Sequence, residues 1–97
     1  MSNQKQPEIK LTFSEDFREN YANSVQVRVN VWDFYLVFGT LQPTDGQRVE
    51  VKNFQAIYLS PQQAKALSMI MAQNVANYEQ AFGEIKLDPQ FAPGPVH

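Results

Sequence analysis

The sequence predicts an α+β domain: an antiparallel sheet of about four strands, ordered as a meander, followed by one long C-terminal helix packed on one face. Two observations predict it. Residues 8–59 break into short stretches of alternating apolar and polar side chains separated by turn residues, and Ser60–Gly83 carries the period of a helix with both ends marked. Residues 8–87 make the single domain, 1–7 a flexible N-terminus and 88–97 a flexible proline-rich tail.

Glu8 to Phe13 reads as the first strand, with Ile9, Leu11 and Phe13 on one side and Glu8, Lys10 and Thr12 on the other. Ser14 before Glu15 and Asp16 suits a short helical turn that carries Phe17 and Tyr21 to the core. Val25, Val27, Val29 and Val31 alternate with Gln26, Arg28 and Asn30 as a second strand. After a corner at Val31, Trp32 and Asp33, the stretch Phe34 to Leu41 is apolar on both faces. Phe34, Leu36 and Phe38 share one face and Tyr35, Val37 and Leu41 the other, which places this strand mid-sheet. Pro43 and the Asp45-Gly46 pair turn the chain back.

The fourth strand, Arg48 to Leu59, slips in phase. A bulge near Lys52 and Asn53 sets Val49, Val51, Phe54, Ala56 and Tyr58 on one side; without it, Ile57 and Leu59 join Val49 and Val51 there.

Ser60, Pro61 and Gln63 spell a helix start: a capping hydroxyl, a proline at the first helical position and a glutamine able to reach back. Gly83 ends the helix, because a left-handed residue costs glycine nothing. At about 100° per residue, Ala64, Leu67, Ile70, Met71, Val75, Tyr78, Ala81 and Phe82 fall within an arc of roughly 140°, the core face. Met69, Ala72 and Ala76 form a second, thinner stripe. Asn74 lies inside the apolar arc and needs a partner: a loop or strand carbonyl, or its own copy on a facing helix, where it would set register.

A chain of 97 residues supports one core, and a domain of this size gains from partners. No apolar run spans a bilayer and the polar start is no signal peptide, so a cytoplasmic protein without a membrane is expected. The absence of cysteine excludes disulfides, thiolate nucleophiles and cysteine metal sites. Net charge is −2 with eight basic residues scattered singly, so no nucleic acid is expected as a partner.

Chemistry is equally sparse. The one histidine, His97, is the last residue, which leaves serine triads without a base and histidine zinc sites without a ligand set. Glu15, Asp16 and Glu19 are a carboxylate cluster, read as a solvated helix start rather than a cation site. The four glycines stand apart, so no phosphate loop exists. No catalytic residue, cofactor or metal is expected, and the protein is read as no enzyme.

Tyr21-Ala22-Asn23, Asp33-Phe34 and above all the helix signature Ser60, Pro61, Ala64, Lys65, Leu67, Asn74, Tyr78, Glu79, Phe82 and Gly83 carry a likeness. From Ile9 to Ile85 the chain resembles an uncharacterised bacterial and archaeal family of small proteins catalogued as domain of unknown function 3467. The resemblance implies no activity or ligand. Relatives often carry a basic residue where this chain has Ala66, Met69, Ala76 and Asn77, and an aspartate near Val37, so the helix back is more apolar here. A weaker, topological likeness is to SecB-type export chaperones, with a four-stranded sheet before a long helix.

One helix cannot hide both faces of such a sheet. Tyr35, Val37, Leu41, Phe54 and Tyr58 on the sheet, with Met69, Ala72 and Ala76 on the helix, are the expected interface of a non-enzymatic homo-oligomeric interaction domain. The partner is a second copy or another protein. The alternatives are a holdase or adaptor that binds apolar polypeptide segments, and a nucleic-acid-associated accessory protein that stacks bases on Trp32, Tyr35, Phe54 and Tyr58 beside Arg28 and Lys52.

Overall fold

Valine-rich and aromatic stretches with polar turns between them form three strands, β1 (Ser24–Val29), β2 (Phe34–Gln42) and β3 (Glu50–Leu59), and a 22-residue helix, α1 (Pro61–Phe82), follows. The computed structural model describes residues 6–43, 46 and 48–87. The expectations for residues 1–5, for Asp45 and for the tail from residue 88 lie outside the described residues. Gly46, described between β2 and β3, has a positive φ of 96°.

The sheet is an antiparallel meander in the order β1-β2-β3, with the doubly apolar strand at its centre as expected. It has three strands rather than four. Glu8–Phe13 joins no ladder, and Ile9, Leu11 and Phe13 stand 76–85% exposed. The reason lies just downstream. Ser14–Phe17 closes as a β-turn, not the expected helical turn, with the Phe17 amide donating to the Ser14 carbonyl at 3.1 Å. Asn23 then ties the chain to β2, its amide donating to the Gly39 carbonyl and its side-chain oxygen accepting from the Leu41 amide. Upstream of the turn the backbone meets neither sheet edge. Tyr21, expected in the core, is 77% exposed.

Asn30 builds the β1–β2 hairpin. Its side-chain oxygen accepts from the amides of Trp32 (2.8 Å) and Asp33 (2.9 Å), while its own amide donates to the Asp33 carbonyl. Val31 and Trp32 are left exposed at the tip.

Between β2 and β3 the register slips once: Phe38 faces Gln55, but Gly39 faces Asn53, and Phe54 is the extra residue. The bulge decides the two readings of β3. Leu36 pairs Ile57 and Phe34 pairs Leu59 on one face, with Val27 and Val29 from β1; Tyr35 pairs Tyr58, Val37 pairs Ala56 and Leu41 pairs Val51 on the other.

The helix lies on the first of these faces. Val27, Phe34, Leu36 and Leu59 meet Ala64, Leu67, Ser68 and Met71 around a cavity of about 270 Å³ that no side chain fills. Beyond Met71 the helix leaves the sheet: every residue from Ala72 to Phe82 except Glu79 is exposed, about 16 Å of helix. Among the described residues only Gly39 is buried, and no apolar side chain is. No helix among them is long and apolar enough to cross a membrane.

Candidate functional site

Two apolar surfaces stand open, and the sequence assigned residues to both. On the outer sheet face the β2–β3 ladder brings Tyr35 and Tyr58 together with ring centroids 4.6 Å apart, and the Arg28 guanidinium lies 5.6 Å from the Tyr35 ring centre. Tyr35, Val37 and Leu41 are half-buried by their neighbours, while Tyr58 is 66% exposed. Phe54 is not part of this set. As the extra residue of the bulge it lines a separate cleft with Phe17, Arg18 and Ile57.

On the helix, Met69, Ala72 and Ala76 are all exposed. The larger open surface is the far half of the intended core stripe. Met71, Val75, Tyr78 and Phe82 recur at spacings of four, three and four, the seam along which two helices pack, and Tyr78 and Phe82 stack at 5.0 Å with no third element against them.

The helix signature is punctuation. The Ser60 hydroxyl accepts from the Gln63 amide at 3.1 Å, and Pro61 occupies the first turn. The Lys65 carbonyl accepts from the Ser68 hydroxyl at 2.7 Å. Asn74 finds its partner neither in a loop nor in a strand: its amide donates to the Ile70 carbonyl, one turn back on its own helix, at 2.8 Å. Gly83, at φ 106°, donates its amide to the Glu79 carbonyl at 2.8 Å. The Glu79 carboxylate accepts from the Ile85 amide at 2.9 Å, a role that the alternation of apolar and polar residues along the helix does not signal.

Among the described residues no group of three or more histidine, cysteine, aspartate or glutamate side chains could hold a metal ion. Asp16 takes the Ser14 hydroxyl at 2.7 Å, and that bond, with a backbone one, holds its carboxyl below the ordinary range. Asp33 Oδ1 is buried with no hydrogen-bond partner among the described residues.

Residues 1–87 match the family described as Protein of unknown function (DUF3467). The chain belongs to DUF3467. The helix signature and Asp33-Phe34 therefore sit in a DUF3467 domain, where Pro61 opens α1 and the structure gives Ser60, Asn74, Glu79 and Gly83 local bonds that start, brace and end it. Beyond the family match, no curated protein and no solved structure is similar to this DUF3467 chain, and the likeness to SecB-type chaperones is not supported: the sheet expected to carry it has three strands among the described residues, not four.

Proposed function

We propose that this DUF3467 protein is a non-enzymatic, homo-oligomeric interaction domain whose hydrophobic core is completed between copies. One observation carries the reading: no apolar side chain among the described residues is buried, while Val75, Tyr78 and Phe82 project from the sheet on an overhanging helix. Apolar burial is the main favourable term in folding, and a chain whose apolar side chains are at most half-buried has little to set against conformational entropy.

Sedimentation and light scattering of the full-length chain test it. The expected mass is a multiple of 11.1 kDa, and Val75→Asp both dissociates the assembly and lowers its melting temperature. A cooperative, thermally stable monomer ends the proposal.

The Tyr35–Tyr58 pair favours a second reading, in which the outer sheet face receives apolar stretches of other proteins. Suppression of a client's aggregation, lost in Tyr58→Asp with the fold and oligomer intact, is the result that would replace self-association with a holdase role. Salt-dependent retention on a polyanion column would instead bring back the nucleic-acid role.

A further inference from the structure

Glu8–Phe13 has the composition of a strand and no strand to pair with. Its apolar residues stand in water, and its backbone makes no hydrogen bond to any described residue. The outer edge of β3 is open as well: Glu50, Val51 and Lys52 begin it, and Arg48 and Val49 just before it continue the same alternation of charged and apolar side chains. An alternating segment and an unpaired edge in the same molecule are the two halves of a strand addition.

We propose that Glu8–Phe13 of one copy adds as an antiparallel strand to the outer edge of β3 in a second copy, and that the second copy reciprocates. The proposal rests on the self-association above and gives it a second contact. Charge selects the register: Glu8 opposite Lys52 and Lys10 opposite Glu50, which also sets Ile9 against Val51 and Leu11 against Val49. A slip of two residues puts Lys10 against Lys52 one way, or Glu8 against Glu50 and Lys10 against Arg48 the other. A slip of one sets Ile9 and Leu11 against charged side chains.

The chain cannot make this pairing with itself. The register carries Phe13 past the start of β3, whereas the next residue, Ser14, and those after it line a cleft with Phe54, Gln55 and Ile57. Arg48 and Phe54 are six residues apart, about 20 Å along a strand. The ring contact of Phe13 with Phe17, at 4.9 Å, fixes Phe13 to that turn. A two-fold exchange fills both edges and both segments at once.

The chain has no cysteine, so a disulfide reports the pairing directly. Full-length Lys10→Cys is mixed with full-length Glu50→Cys carrying a tag of different mass and then gently oxidised. The expected product is a covalent pair of the two variants, in several-fold excess over the pair formed with Gln26→Cys on the β1 edge. Equal yields with Gln26→Cys overturn the proposal, as does a Lys10→Cys/Glu50→Cys double variant that closes only within single chains. Sedimentation of the unaltered chain separates the two ideas: a monomer ends both, whereas an oligomer without the cross-link ends this one alone.

Discussion

Gly39 and Asn53 face each other where the register of β2 and β3 slips, and they fit only because Gly39 has no side chain. A Cβ there would stand 2.5 Å from the Asn53 side-chain oxygen, 2.8 Å from the Lys52 carbonyl and 3.0 Å from Val51. The carbonyl belongs to the backbone and cannot swing away. Gly39→Ala is expected to destabilise the fold by about 1–3 kcal/mol, read as a lower urea midpoint at unchanged slope.

Ser60 carries the start of α1 nearly alone, since the first turn holds no acidic residue to complement the helix dipole. Ser60→Ala should lose about 1 kcal/mol in thermal unfolding, and Ser60→Asp should retain the native value.

At the other end, Glu79 and Gly83 act together. Gly83→Ala places a side chain at φ 106° and is expected to cost roughly 1–2 kcal/mol. Glu79→Gln keeps the carbonyl bond to Gly83 but weakens the carboxylate bond to Ile85, so hydrogen exchange at the Ile85 amide should speed up with little change in global stability.

The Ser14–Asp16 bond gives the turn before β1 a pH dependence. Asp16 titrates below its ordinary value of 3.8, chiefly because the Ser14 hydroxyl donates to the charged carboxylate. A group depressed in the folded state stabilises above the unfolded value and loses that contribution as pH falls through the folded one. The turn is therefore firmest above about pH 4 and loosens below it. Carbon NMR titration of the Asp16 carboxyl should move back toward 3.8 in Ser14→Ala.

Tyr78 is the helix residue whose truncation separates assembly from helix formation. It stacks on Phe82 and is half exposed, so Tyr78→Ala should leave helical content intact while weakening association by tenfold or more, about 1.4 kcal/mol or greater, in sedimentation.

Local chemistry made β1, β2, β3 and α1 legible: valine alternation, Ser60-Pro61 and Gly83 each act over a few residues. The bulge was legible too, because the phase of Val49 and Val51 disagrees with that of Ile57 and Leu59. What the pattern could not convey was where a strand goes. Glu8–Phe13 alternates as well as β1 does, yet the turn at Ser14–Phe17 directs it away from both edges. Nor could periodicity say how far α1 extends past the sheet, since Leu67 and Tyr78 sit on one helical face while only Leu67 meets the strands. Asn74 shows the same limit at one residue, since an amide on an apolar arc needs a partner and its own helix supplied one.

β3 hands the chain to α1 through Ser60 alone, with a proline ring at the next position. That joint works as a stiff hinge: for a helix of roughly 33 Å, a tilt of about 10° swings the far tip at Phe82 by about 6 Å. The distance between the sheet and the helix tip is thus governed by one backbone pivot, and residues there tune it without altering the side chains on either surface.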